Sequence, residues 1–92
     1  MTHASRPIVA SGKPCAVTVL PDGGPPSLDS FLGDAEFTVD GAPGPVVVRG
    51  HGVPLGEEVR FHEKDVTGGK DVRVWHVRRD GDGFSAVHVA AF

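Results

Sequence analysis

The chain has 92 residues, 13 of them glycine and 8 proline, a composition that excludes long helices and favours short strands joined by turns. Nine basic against twelve acidic residues give a net charge of −3, so the basic footprint of a duplex-binding protein is absent. A chain this short buries only roughly 60–65% of its unfolded surface, so a deep active-site cavity would compete with the core, and a non-catalytic domain is expected.

Residues 1–14 contain Arg6-Pro7 and Lys13-Pro14 with little apolar content beyond Ile8 and Val9, and read as an extended arm with no core of its own. Residues 15–92 read as a single small β domain. Its first element is the β-compatible run Cys15-Ala16-Val17-Thr18-Val19-Leu20, closed by the turn formers Pro21-Asp22-Gly23-Gly24-Pro25-Pro26. Leu28, Phe31 and Leu32 then follow at i, i+3, i+4, which predicts one short helix over 28–32, with Ser27 as N-cap and Gly33 as the stop.

From Glu36 the apolar period is two. Residues 36–39 and 45–49 flank Asp40-Gly41-Ala42-Pro43-Gly44 and predict a hairpin. Gly50-His51-Gly52-Val53-Pro54-Leu55-Gly56 reads as a loop by composition. Alternation resumes over 57–64, with Val59 and Phe61 on a dry face and Arg60, His62 and Lys64 on a wet one.

Two runs, 71–78 and 84–91, surround Asp80-Gly81-Asp82-Gly83, which is strong hairpin chemistry. A two-residue Gly81-Asp82 loop would pair Trp75 with His88, Val77 with Ala86, Val74 with Val89 and Val72 with Ala91. Both faces of this hairpin are then apolar, as in a strand pair covered on both sides or lying at a subunit contact. Thr67-Gly68-Gly69 joins it to the preceding strand as a C-terminal meander. The architecture expected is all-β with one short helix, either a small β-sandwich or a partly open β-barrel.

Chemistry-bearing patterns are sparse. Cys15 is the single cysteine, so no internal disulfide or CxxC pair is available, and its place before an apolar run marks a small buried hydrophobe. His62 points to the wet side of its strand, His76 and His88 fall on opposite faces of the last hairpin, and His51 sits between loop glycines. With no HxH pair on one strand, no metal site is expected. Glu57-Glu58 and Asp80/Asp82 read as solvated turn and strand-end groups, and neither glycine-rich stretch has the spacing of a phosphate loop. No catalytic residue and no cofactor is therefore assigned. A reading of another class, a cupin-like or barrel protein binding a metal or small ligand, requires His51, His62, His76 or His88 to converge.

The sequence also resembles a known family. Leu55-Gly56-Glu57-Glu58-Val59-Arg60-Phe61, Val72-Arg73-Val74-Trp75-His76-Val77, Arg79-Asp80-Gly81-Asp82-Gly83 and Ala86-Val87-His88-Val89 resemble the carboxy-terminal half of the small head–tail joining proteins of lambda-like tailed phages. Leu28-Asp29-Ser30-Phe31-Leu32-Gly33, with Phe37-Thr38-Val39-Asp40-Gly41 and Val47-Val48-Arg49-Gly50, is similar to that family's short helix and first hairpin. The likeness covers about residues 27–92. It departs where Gly56-Glu57 stands for the family's Gly-Asp pair and where only residues 50–54 occupy the place of a long loop.

This resemblance implies a virion assembly protein without chemistry, one that forms a ring, of six copies in the family, between portal and tail. Its partners would be further copies of itself and other virion proteins; from the charge balance no nucleic acid is expected, and from the lack of a long apolar run no membrane. The contacts implied are Arg6, Ile8 and Val9 on the arm, His51, Val53 and Leu55 in the 50–56 loop, and Trp75, Phe84 and Phe92 around the last hairpin, whose exposed edge would accept a further strand. A capsid decoration protein, its arm lying on the shell, is the second virion reading. The amino terminus lacks the apolar run of a signal peptide, so synthesis in the host bacterial cytoplasm is expected.

Overall fold

Period-two alternation carries the described residues through six strands: β1 (Pro14–Val19), β2 (Gly33–Val39), β3 (Val46–Leu55), β4 (Glu58–Lys64), β5 (Asp71–Asp80) and β6 (Gly83–Ala91). The structure is a computed structural model that describes residues 12–21, 27–41 and 44–91. Each strand pairs antiparallel with the next, and β6 returns to β1 through Pro14↔Val87, Cys15↔Ala86 and Ala16↔Ser85. The fold is thus all-β, and of the two architectures expected it is the barrel, fully closed rather than partly open. Closure also removes the hairpin edge expected to accept a strand, because β1 occupies it over these residues. The Gly12 amide donates to the His88 carbonyl at 3.3 Å, so the last residues assigned to the arm already belong to the β1–β6 seam. Residues 1–11 lie outside the described residues.

The stretch 50–56, expected as a loop, is mostly strand: β3 runs unbroken to Leu55. Its alternation persists through the glycines, with Val46, Val48, Gly50 and Gly52 buried and Val47, Arg49 and His51 exposed. The glycines serve close approach rather than turning. A Cβ on Gly50 would stand 1.9 Å from the His62 carbonyl oxygen, and one on Gly52 1.9 Å from that of Phe31.

The expected helix over 28–32 is a single 3-10 turn, Leu28–Phe31. Ser27 caps it as expected, its hydroxyl accepting the Asp29 amide at 3.2 Å. The turn cannot lengthen because β2 begins at Gly33, and what it contributes is Phe31, wholly buried within the barrel. Phe31 meets Phe84 at 5.1 Å and Phe37 at 5.2 Å between ring centroids, and Phe37 meets Phe61 at 4.9 Å, all edge-to-face. Trp75, opposite Phe61 on β5, is wholly buried as well. Valines 39, 46, 48, 59 and 77, with Ala86 and Cys15, complete this core. Burying each large side chain contributes about 1.5–3 kcal/mol before entropy is counted.

The last hairpin has its two-residue turn, with Asp80↔Gly83, Val77↔Ala86 and Trp75↔His88 in the expected register. Beyond Trp75 the register shifts: Val74 pairs with Ala90 instead of Val89, and Arg73 rather than Val72 pairs with Ala91. The extra residue in β6 is a β-bulge, which bends and twists the ladder as a closing sheet requires. Among the described residues, no helix is long and apolar enough to cross a membrane.

Candidate functional site

With the interior filled by side chains, the chemistry-bearing groups gather in two places. The first is the end of the barrel. Glu63 continues the inward period of Val59 and Phe61 and is 1% exposed. Its carboxylate accepts from Arg73 Nε at 2.8 Å, Arg73 Nη2 at 3.2 Å and Trp75 Nε1 at 3.0 Å. The Arg73 guanidinium lies over the Trp75 ring, 5.4 Å from its centroid, and His88 lies 5.6 Å from that ring on the other strand. A carboxylate saturated by a forked guanidinium and an indole is held for structure rather than for proton transfer.

The second place is on the outer wall. Asp34 on β2 is the cross-strand partner of His51 on β3, and His51 is the partner of His62 on β4. The outward side chains of this row line an open groove of about 1030 Å³, walled on one side by the 65–70 loop. His51 Nδ1 lies 3.1 Å from Asp34 Oδ1, and His62 Nδ1 lies 3.1 Å from Asp71 Oδ2. The other Asp71 oxygen accepts from Lys64 Nζ. The Lys64 hydrogen bond, helped by His62, holds the Asp71 carboxyl below its ordinary range. Asp65 shapes the loop by accepting the Thr67 hydroxyl at 2.7 Å and the amides of Thr67 and Gly69, which hold its carboxyl below its ordinary range too.

The residues singled out from sequence separate. His51 is in the groove, on a strand rather than in a loop. Val53 is half-buried and Leu55 exposed at the end of β3. Trp75 and Phe84, expected at a partner surface, are core residues at 0% and 3% exposure, because their strand positions face the barrel interior. Arg6, Ile8, Val9 and Phe92 lie outside the described residues. Cys15 is buried at 9% exposure, and burial pushes its thiol pKa up, away from the nucleophilic thiolate. Of the four histidines a ligand-binding barrel would gather, His51 and His62 share the outer groove, whereas His76 stands 3.9 Å from Glu58 and His88 packs on Trp75. The four histidines therefore do not gather in one place.

Sequence reading missed Asp34 and Asp71 as partners of these histidines. The signal was the alternation itself: taken through Gly50 and Gly52, it puts His51 on the wall beside His62. Among the described residues no three His, Cys, Asp or Glu side chains are grouped to hold a metal ion. Fold and site together define a six-stranded barrel with an apolar core, one inward carboxylate held by Arg73 and Trp75, and an outer wall that carries the groove of His51 and His62. Compared with known proteins, the chain matches no family model, no curated sequence and no solved structure.

Proposed function

We propose that this protein is a non-catalytic assembly subunit of a tailed-phage particle, joining head to tail as a ring of identical copies. The observation that carries this reading beyond the resemblance is the filled barrel. Its inward positions are spent on packing, which leaves the outer wall and the loops as the working surface. On that wall Val19, Thr38 and Val47 form one row across β1, β2 and β3, and Val19 and Val47 are 57% and 53% exposed. Leu55, Val66 and Val89 add further exposed apolar side chains. Large apolar groups outside a core that is already complete suit a subunit covered by its neighbours. A ring is built from heterologous contacts, in which one patch meets a different patch of the next copy.

In this reading the mature protein resides in the virion. Negative-stain microscopy of the purified protein, alone and mixed with portal complexes, tests the proposal. Closed rings, or density added at the portal opening, are the expected result. Binding to the faces of the shell instead of the portal would overturn head–tail joining in favour of decoration.

A further inference from the structure

We propose that His51 and His62 form a two-histidine clamp for a divalent cation that favours imidazole, such as Zn²⁺ or Cu²⁺, on the outer wall of the barrel. The inference is independent of the assembly reading. Three observations carry it. First, the two residues are directly opposed on neighbouring antiparallel strands, both outward, and both line the same groove. Opposed Cβ atoms in such a ladder stand about 4.5–5.5 Å apart, a spacing from which two imidazoles can reach one ion. Second, each ring is held by its own carboxylate through Nδ1, His51 by Asp34 and His62 by Asp71, both at 3.1 Å. A carboxylate can only accept, so each Nδ1 carries the hydrogen, and in the neutral imidazole Nε2 is then the nitrogen whose lone pair is open to a ligand. Carboxylate-held histidines of this kind are the usual second sphere of a bound metal. Third, the groove is lined by four carboxylates, Asp34, Glu36, Asp65 and Asp71, against the cations Arg49 and Lys64. The Lys64 ammonium is itself tied to Asp71.

Two protein ligands leave the remaining coordination positions to water, which is consistent with the lack of any three-donor group among the described residues. Imidazole donors select Zn²⁺, Cu²⁺ and Ni²⁺ over Mg²⁺ and Ca²⁺, which demand oxygen ligands.

Calorimetric titration of the untagged full chain with zinc chloride and with a copper salt at neutral pH tests the clamp. One ion per chain is expected, undisturbed by excess Mg²⁺. His51→Gln and His62→Gln should each weaken binding by about tenfold or more, and Asp34→Asn should weaken it in the same direction. His3→Ala and His76→Ala should leave it unchanged. Circular dichroism of each variant verifies that the barrel is intact. The clamp is overturned if the native chain takes up neither ion, or if the folded His51→Gln and His62→Gln proteins bind as the native one does. Loss of binding in His3→Ala or His76→Ala would overturn it equally, by placing the ion elsewhere.

Discussion

Gly50 and His62 lie so close across the β3–β4 ladder that a Cβ on the glycine would come within 1.9 Å of the histidine carbonyl oxygen and 2.9 Å of the Glu63 Cα. Both contacts are with backbone, so no side chain can swing away to relieve them. The same approach sets the backbone beneath His51 and His62 and aligns the wall that carries them.

Gly50→Ala should therefore force β3 and β4 apart. A loss of about 2–3 kcal/mol is expected, at the upper end for overpacking, read as a lowered urea midpoint with the slope unchanged. Gly44 supplies the contrast, since an added Cβ there meets nothing within 4 Å. Gly44→Ala should be near neutral, or slightly stabilising through the unfolded state.

The Glu63–Arg73–Trp75 cluster makes a second prediction. Their side chains are almost wholly enclosed, with Glu63 at 1% and Arg73 at 11% exposure. Glu63→Leu leaves the guanidinium and the indole N–H facing an apolar group and should cost about 3–5 kcal/mol. The double variant Glu63→Leu/Arg73→Leu removes both charges and should recover much of that loss. Equilibrium urea unfolding of the two single variants and the double gives the coupling directly; strict additivity would show that the pair does not act as a unit.

Stability should also depend on acid through Asp71. The Lys64 hydrogen bond, aided by His62, lowers its carboxyl pKa from the ordinary 3.8. A group whose pKa is lower folded than unfolded contributes its full stabilisation above the unfolded value and loses it as pH falls through the folded one. Unfolding followed from neutral pH to below 3.8 should show stability declining in that acidic range, and Asp71→Asn should decline less steeply. Parallel pH profiles for the native and variant proteins would contradict this assignment.

Much of the fold was legible locally, because turn chemistry acts on neighbours. Asp80-Gly81-Asp82-Gly83 specified the last hairpin and its register as far as Trp75↔His88, and Ser27 marked the start of the short turn. The loop reading of 50–56 failed because a glycine needed for close approach and one needed for a turn look alike when only composition is weighed. The missed row Asp34–His51–His62 followed from that single misreading. Trp75 and Phe84 were placed at a surface because both hairpin faces are apolar, and only the inward face of a closed barrel distinguishes them. Closure of β1 on β6 joins strands about seventy residues apart in sequence, and no local pattern announces such a pairing. The bulge beside Val89 was equally silent, since Val, His and Ala alternate there without a break.

Sedimentation velocity of the full chain, over a concentration series reaching the millimolar range, tests the assembly reading most directly. Val47 lies exposed in the apolar row with Val19, and Val47→Asp should leave the barrel folded while placing a charge in the surface assigned to a neighbouring copy. The expected result is a discrete oligomer for the native chain that Val47→Asp shifts toward monomer. A native chain that stays monomeric throughout the series, and remains so when mixed with portal complexes, would contradict it.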